Sequence, residues 1–195
     1  MKRAGPGRYG ADMKILNTPI ADVHIVESTP VEDHRGSFSR IFCARELAPV
    51  IGNRQILQAN HATTKKTGSI RGLHFQRPPH AEIKMIRCLR GRIWDVALDL
   101  RAESSTFGKW HAVELTPENN RTIIIPERCA HGLQILEPDS EVLYLHTAFY
   151  EPSSEGGIRY DDPRFAIEWP LPAIEISDRD MKHPLAGKEF KGISA

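Results

Sequence analysis

Residues 92–101 read Arg92-Ile93-Trp94-Asp95-Val96-Ala97-Leu98-Asp99-Leu100-Arg101 and decide the fold class of this protein. Large apolar side chains occupy alternate positions from Trp94 to Leu100, and the charged residues Asp95 and Asp99 lie between them. An alternation with a period of two places the apolar side chains on one face of an extended chain. This stretch therefore predicts a β-strand.

Comparable segments recur along the whole chain and are separated by clusters of turn-forming residues. They cover residues 20–27, 36–44, 55–62, 69–76, 83–89, 110–115, 121–125, 132–136 and 141–150. Many short strands at close spacing predict an all-β sandwich or barrel. Helix is expected only at 45–51 and 177–181. From residue 151 onward prolines and glycines are frequent, which predicts an irregular C-terminal arm over the barrel.

The composition is that of a globular protein. The chain has 195 residues, of which 40% are hydrophobic and 26% are charged, and this length allows a substantial buried core. We expect residues 13–195 to form one domain. Residues 1–12 are basic and glycine-rich without an apolar segment, so we expect a disordered extension there. The formal net charge of +1 gives no general attraction to nucleic acid.

The cysteines and the hydropathy bear on the cellular compartment. Cys43, Cys88 and Cys129 form an odd set without the spacing of a disulfide framework, which favours a reducing compartment. No apolar run approaches the roughly 20 residues that cross a bilayer. We therefore expect a cytoplasmic protein that does not bind membranes.

Strand parity predicts which polar side chains share a face, and several of these faces carry chemically active groups. The sets are Tyr144, His146 and Tyr150 in 141–150, Lys84 with Ile86 and Cys88 in 83–89, and Gln58 with Asn60 in 55–62. A lysine directed into a barrel is costly unless it is paired or functional. These faces are thus candidates for the wall of a polar cavity.

Arg71 and His74 have opposite parity and would diverge on a regular strand. If both serve one cavity, the backbone between them must be irregular. Glycine is the residue that marks such irregularities inside strands, so Gly72 is the predicted position of a β-bulge.

The residue types in these segments indicate proton transfer by side chains alone. A histidine is a base suited to neutral pH, a lysine or arginine stabilises negative charge, and a tyrosine is a weak acid. Taken singly, each has a structural alternative, because a histidine or tyrosine in a barrel wall is often only hydrogen-bonded and a lysine can extend to the surface.

The sequence around His74 argues against a metal centre. Cupin-type metal sites use two histidines one residue apart, then a glutamate and a later histidine, whereas Gln76 stands two residues after His74 here. Glu82 and His131 would supply only part of such a set. Cys129 lacks the surrounding sequence of a thiol nucleophile. We expect no metal and no other cofactor.

Several motifs together resemble those of the dTDP-4-dehydrorhamnose 3,5-epimerase family, which has the cupin fold. In chain order they are Asp33-His34-Arg35-Gly36-Ser37-Phe38, Gln58-Ala59-Asn60-His61, Arg71-Gly72-Leu73-His74-Phe75-Gln76, Lys84-Met85-Ile86-Arg87, Ala130-His131-Gly132, Tyr150-Glu151-Pro152 and Ser177-Asp178-Arg179-Asp180. The resemblance implies a double-stranded β-helix, or jelly-roll, barrel. It also implies a dTDP-4-keto-6-deoxyhexose substrate, no cofactor, and a homodimer formed by strand exchange.

The resemblance also implies residue roles. His74 would remove the proton beside the keto group, with its imidazole oriented by Asp180. Tyr144 would return a proton from the opposite face of the sugar, and Lys84 would stabilise the enolate oxygen. The implied substrate-binding residues are Arg35, Arg71 and Arg179 at the pyrophosphate, Phe38, Gln58, Asn60 and Tyr150 around the nucleotide and sugar, and His131 beside the sugar.

Departures from the family pattern concern specificity. Arg40 stands where an acidic residue is frequent, Glu82 replaces a common glutamine, and Tyr160 replaces a tryptophan. The predicted reaction inverts carbon 3 and carbon 5 of dTDP-4-dehydro-6-deoxy-D-glucose to give dTDP-4-dehydro-L-rhamnose. The alternatives are inversion of carbon 3 or carbon 5 alone in a related sugar, a metal-dependent cupin, and a sugar-nucleotide-binding module without turnover.

Overall fold

Short strands dominate the computed structural model, which describes residues 12–195. The strands are β1 Met13–Asn17, β2 His24–Ser28, β3 Val31–Asp33, β4 Gly36–Phe38, β5 Gln58–Thr64, β6 Ile70–Gln76, β7 Lys84–Arg90, β8 Ile93–Asp99, β9 Trp110–Leu115, β10 Arg121–Ile125, β11 Cys129–Ile135, β12 Ser140–His146 and β13 Glu155–Gly157. The helices are α1 Ala44–Ile51 and α2 Asp178–Met181, and a 3-10 turn covers Pro152–Ser154. The extension expected at residues 1–12 lies, apart from Asp12, outside the described residues.

Two antiparallel sheets face each other and form a jelly-roll barrel of the cupin type, as the sequence predicts. One sheet has the order β1-β2-β10-β7-β12-β5 and the other has the order β13-β6-β11-β8-β9. Aliphatic side chains from both sheets, such as Ile86, Ile123 and Leu133, fill the space between them. Between residues 12 and 195, no helix is long and apolar enough to span a membrane.

The strand β8 is buried on both faces. Ile93 and Ala97 contribute to the core between the sheets, while Val96 and Leu98 pack on the opposite face beneath the C-terminal arm. Its acidic residues therefore need partners, since an unpaired buried carboxylate is costly. Asp99 accepts hydrogen bonds from the Arg101 guanidinium at 2.9 and 2.8 Å.

Both sheets carry a second apolar layer on their outer faces. Helix α1 packs Leu47 and Ile51 against Met85 and Ile124 of the six-stranded sheet. The C-terminal arm packs residues such as Phe165 and Ile193 against the five-stranded sheet. The predicted irregular arm is confirmed. Among the described residues it contains one α-helix, α2, besides the 3-10 turn at Pro152–Ser154.

Five predicted strand boundaries are wrong by three residues or more. Two of them are the starts of β5 and β11, which were expected at 55 and 132 and lie at Gln58 and Cys129. The segment 36–44 is a strand only to Phe38, because the chain then turns into α1 at Ala44. The segment 141–150 ends as a strand at His146, where Thr147 turns to hydrogen-bond the backbone of Ile83. The segment 20–27 begins as a strand only at His24. Strands β1, β3 and β13 lie outside the predicted segments. Each of them is a short edge strand.

Strands β3 and β4 form a separate hairpin that is exposed along its whole length. All residues from Val31 to Phe38 are exposed, and the relative accessibility of Phe38 is 58%. Asp33 and Arg35 pair with each other at 2.6 Å beside the turn. More than half of the Phe38 surface therefore lies in solvent when the chain is alone.

Candidate active site

A cavity of about 670 Å³ opens between the two sheets, in the part of the barrel that the aliphatic core side chains do not fill. This volume lies within the range of small-molecule sites, which is roughly 300–1,000 Å³. Its polar lining includes Gln58, Asn60, Arg71, His74, Lys84, His131, Tyr144, His146, Tyr150, Glu155, Arg179 and Asp180. These residues come from both sheets and from the C-terminal arm.

A bulge in β6 directs both Arg71 and His74 to the cavity, as predicted from their opposite parity. His131 of β11 pairs with His74, but the next residue, Gly132, pairs with Gly72, so β6 contains one extra residue. Gly72 has φ +100°, and a Cβ at this position would lie 2.5 Å from the carbonyl oxygen of His131. Glycine is therefore required here by both its conformation and the close approach of β11.

His74 forms a hydrogen-bonded pair with Asp180 of α2. Nε2 of His74 lies 2.7 Å from Oδ1 of Asp180, whose other oxygen accepts the backbone N–H of Gly72 at 3.1 Å. Burial opposes ionisation of Asp180, but the hydrogen bonds from His74 and Gly72 outweigh it and hold its pKa well below the usual range. An ionised carboxylate only accepts, so Nε2 carries the proton and Nδ1 is left as the basic nitrogen.

Tyr144 approaches from the other sheet. Its ring meets the ring of His131 edge-on with centroids 5.9 Å apart, and His131 pairs with His74 across β11 and β6. His131 in turn contacts the fully buried Asp95 at 2.9 Å. Burial, reinforced by the negative charge of Asp95, raises the pKa of Tyr144, so its hydroxyl is protonated at neutral pH.

Lys84 stands at the start of β7, in the same sheet as Tyr144, and its side chain reaches β6 of the other sheet. Its ammonium donates to the carbonyl oxygen of His74 at 3.1 Å and lies 3.3 Å from Oε1 of Glu82. Burial lowers the pKa of Lys84, and the Glu82 carboxylate opposes that shift. The other oxygen of Glu82 lies 2.8 Å from Nδ1 of His146. The predicted inward direction of Lys84 is confirmed.

The mouth of the cavity is lined by Arg179, Glu155 and Tyr150. Arg179 contacts Glu155 at 3.2 Å. Its Nη2 also lies 3.2 Å from Nε2 of His74, which is a contact without a hydrogen bond because Nε2 donates its proton to Asp180. The Tyr150 hydroxyl donates to Glu155 at 3.0 Å. Two guanidinium groups, those of Arg179 and Arg71, therefore line one cavity, an arrangement that suits an anion with several oxygens.

Comparison with known proteins identifies the family of this chain. The family model described as dTDP-4-dehydrorhamnose 3,5-epimerase matches residues 17–187. The dTDP-4-dehydrorhamnose 3,5-epimerase of Salmonella typhimurium is 42% identical over 175 residues, which are 89% of this chain and 95% of that protein. This chain belongs to the dTDP-4-dehydrorhamnose 3,5-epimerase family.

Solved structures of this family share the fold. The enzyme of Elizabethkingia anophelis superposes with a TM-score of 0.86 at 35% identity, covering 92% of this chain and 99% of that one. The dTDP-6-deoxy-D-glucose-3,5-epimerase of Legionella pneumophila, solved in complex with dTDP-4-keto-L-rhamnose, superposes with a TM-score of 0.83 at 36% identity. That comparison covers 88% of this chain and 91% of the Legionella chain.

The cavity brings together most of the site residues that the family resemblance implied. Those that line it are His74, Lys84, Tyr144, Asp180, Gln58, Asn60, Arg71, His131, Tyr150 and Arg179. Arg35 and Phe38 do not line it, because they lie on the exposed β3–β4 hairpin. The shared faces predicted for Gln58 with Asn60 and for Tyr144 with His146 are confirmed.

The predicted site residues include Asp180, the partner of His74, but they lack two other carboxylates and one histidine of this epimerase-family site. Asp95 was assigned to a charged strand face, but it is the partner of His131. Glu155 was not considered, and its only signal was an acidic residue in a glycine-rich stretch. His183 was also missed, and its ring lies 5.9 Å from that of His74.

One group of potential metal ligands occurs among residues 12–195. The group consists of His74, Asp180 and His183. Each residue offers one ligand atom, and these three atoms lie within 4.8 Å of one another. Two of these three, His74 and Asp180, are already joined by a direct hydrogen bond at 2.7 Å. Cys129 is unsuited to nucleophilic chemistry, since burial and the nearby Asp99 charge raise its pKa to about 12.

Proposed function

We propose that this protein inverts carbon 3 and carbon 5 of dTDP-4-dehydro-6-deoxy-D-glucose and so forms dTDP-4-dehydro-L-rhamnose. The observation that carries this proposal is the two-walled cavity, in which a histidine–aspartate pair faces a tyrosine from the opposite sheet. Inversion needs a base and an acid on opposite faces of the sugar ring, because a single group on one face only returns the proton that it removed.

In the first step His74 acts as the base. Nδ1 of His74 takes the proton from a carbon beside the keto group, and the electron pair of the broken C–H bond forms the enolate. The imidazolium that results is stabilised by Asp180, which is ionised and 2.7 Å from Nε2. The carboxylate also holds the ring in the required tautomer.

Lys84 stabilises the enolate. A proton beside a ketone is only weakly acidic, so its removal depends on a preorganised positive charge near the carbonyl oxygen, worth about 3–4 kcal/mol at comparable oxyanion sites. The Lys84 ammonium is buried and held by Glu82 and the carbonyl of His74, so it needs little reorganisation during the reaction.

Tyr144 returns the proton from the opposite face. Its phenol gives a proton to the enolate carbon, the C–H bond forms with inverted configuration, and the phenolate regains a proton from water. Because burial raises the pKa of Tyr144, the phenol remains a proton donor at neutral pH.

The arginines at the mouth fit the diphosphate of the substrate. Arg71 is held by Thr64 at 2.8 Å, and Arg179 is held by Glu155, so both guanidinium groups are oriented before substrate binds. Gln58, Asn60 and Tyr150 would frame the nucleotide and sugar, with His131 beside the sugar.

The assembly and the compartment are part of this proposal. The exposed hairpin with Arg35 and Phe38 supports a homodimer in which each hairpin reaches the cavity of the partner. The absence of any disulfide among Cys43, Cys88 and Cys129 is consistent with the cytoplasm. We also propose one domain over residues 13–195, since each main sheet combines strands that are distant in the chain.

Incubation of dTDP-4-keto-6-deoxyglucose with the protein in heavy water tests the function. The expected result is deuterium at both ring carbons beside the keto group, with inversion at both. Deuterium and inversion at one carbon would instead indicate a single-carbon epimerase. Binding without deuterium entry would indicate a binding module, and a rate that disappears with chelator and returns with a metal ion would indicate a metal-dependent cupin.

A further inference from the structure

Glu82 and His146 form a buried pair that the proposed mechanism leaves without a chemical role of its own. Nδ1 of His146 lies 2.8 Å from Oε2 of Glu82, and the exposed fractions of the two side chains are 15% and 8%. Both residues line the cavity. A buried carboxylate and imidazole beside a substrate site are costly to maintain without a function.

The pair fixes the tautomer of His146. Burial opposes ionisation of Glu82, but the hydrogen bond from His146 and the charge of Lys84 outweigh it and lower the pKa of Glu82. The ionised carboxylate can only accept, so Nδ1 of His146 carries a proton. Nε2 has no hydrogen bond to any residue between 12 and 195 and is the nitrogen left for exchange of a proton. Asp180 orients His74 in the same way.

His146 also lies on the wall that carries Tyr144. The two residues are two positions apart on β12, and their rings are nearly parallel, with centroids 6.2 Å apart and an interplanar angle of 14°. Across the sheet His146 pairs with Lys84 on one side and Gln58 on the other. The titratable groups around it are Glu82, Lys84 and Tyr144, with His74 across the cavity.

We propose that His146, oriented by Glu82, is a second proton donor on the Tyr144 wall and serves one of the two carbons beside the keto group. This inference rests on the proposed function. The protonated imidazole gives its Nε2 proton to the enolate carbon, the electron pair of the enolate double bond forms the new C–H bond, and the keto group reforms. The neutral imidazole then regains a proton from water.

A second donor answers a geometric requirement of double inversion. The two carbons lie on either side of the keto group, whereas the Tyr144 hydroxyl occupies a single position. A proton donor must come within hydrogen-bond reach of the atom that it protonates. Two donors on one wall reach two carbons without rotation of the sugar between the two inversions.

The test compares His146→Asn with the parental protein on the keto sugar in heavy water. An asparagine amide can still donate to Glu82 from about the place of Nδ1, but it has no acidic nitrogen at the place of Nε2. NMR gives, for carbon 3 and carbon 5 separately, the ratio of inversion to deuterium entry. We expect this ratio to fall by about 100-fold or more at one carbon only, since His74 still removes the proton.

Two outcomes would overturn the inference, namely an unchanged ratio at both carbons and an equal fall at both. A parental protein that neither exchanges nor inverts would overturn the proposed function instead. His61→Asn is the matched control, because His61 pairs with Glu141 at 3.0 Å on the same sheet but lies outside the cavity. His146→Gln, with an amide of different reach, gives a second test if the asparagine variant folds poorly.

Discussion

Oδ1 of Asp180 lies 2.7 Å from Nε2 of His74, although the two residues are 106 positions apart in the chain. The short helix α2 makes this contact possible. Ser177 caps its N-terminus and accepts the backbone N–H of Asp180, and the second carboxylate oxygen is held by the backbone N–H of Gly72. The C-terminal arm thus completes a site whose other residues come from the two sheets.

Asp180→Asn should slow deuterium entry at both ring carbons by about 10²- to 10⁴-fold, because the imidazolium of His74 loses its counter-charge and its fixed tautomer. Single-turnover NMR in heavy water measures this rate. Asp178→Asn removes an exposed carboxylate from the same helix and should leave the rate near the parental value. Equal rates in the two variants would contradict a role for Asp180.

Tyr144→Phe should separate proton removal from inversion. The variant keeps the aromatic ring against His131 and His146, so the wall of the cavity is preserved. Inversion should fall by about 10²- to 10⁴-fold at the carbon that Tyr144 serves, while deuterium still enters there. Tyr160→Phe, in the outer apolar layer, is the control. A Tyr144→Phe variant that inverts both carbons at the parental rate would exclude the phenol as a donor.

The pH profile of kcat/KM for deuterium entry should report Lys84, because proton removal by His74 uses neither of the proton donors on the Tyr144 wall. Because burial lowers the pKa of Lys84, the alkaline limb should appear below the ordinary lysine value of about 10.4. Tyr144, whose pKa is raised, should not produce that limb. Glu82 favours the ammonium form, so Glu82→Gln should move the limb to still lower pH. Glu141→Gln, which removes a half-buried carboxylate outside the cavity, should leave it in place. An unmoved limb in Glu82→Gln would show that another group titrates.

Much of the fold could be predicted from alternation alone. Strands β9 and β10 have the predicted bounds, because turn-forming residues such as Gly108, Pro117 and Pro126 lie close to their ends. Strand β13 could not be predicted, since two of its three residues are glycines. A Cβ at Gly156 would lie 2.5 Å from the Phe75 ring, so that pairing depends on a contact with a distant strand.

The site was predictable in part for a similar reason. Parity within each strand directs Lys84 of β7 and Tyr144 and His146 of β12 to one cavity. The bulge at Gly72 follows from the opposite parity of Arg71 and His74. The carboxylate partners of the histidines come from other strands, from α2 or from connecting segments. Local pattern carries no information on those contacts, so the pairing of Asp95 with His131 was not predicted.

Gly72→Ala should disrupt both stability and activity. The residue would keep a left-handed backbone, which costs about 1–2 kcal/mol, and its Cβ would meet the carbonyl of His131 at 2.5 Å. Gly108→Ala is a matched control, because Gly108 has φ +76° but nothing within 4 Å of a Cβ. Denaturant unfolding should show a larger loss of free energy for Gly72→Ala, accompanied by a loss of deuterium exchange that Gly108→Ala does not share. Similar losses in both would mean that the approach of β11 is unimportant.

Mixing two inactive variants should restore activity if the β3–β4 hairpin serves the cavity of a partner chain. Arg35→Ala keeps His74 but loses an expected phosphate contact, and His74→Ala keeps Arg35 but loses the base. In a mixed dimer, the His74 cavity of the first chain would receive the Arg35 hairpin of the second chain, which creates one intact site.

If each hairpin served its own chain, neither cavity of the mixed dimer would contain both residues. The assay therefore uses low substrate concentration, where loss of Arg35 is most damaging, after the mixture has been unfolded and refolded together. Sedimentation analysis should show a dimer for the parent, and Phe38→Asp should weaken it because a charge would replace a ring that is 58% exposed in the isolated chain. A monomeric parent, or a refolded mixture no more active than its components, would assign Arg35 and Phe38 to some role other than completion of a partner's site.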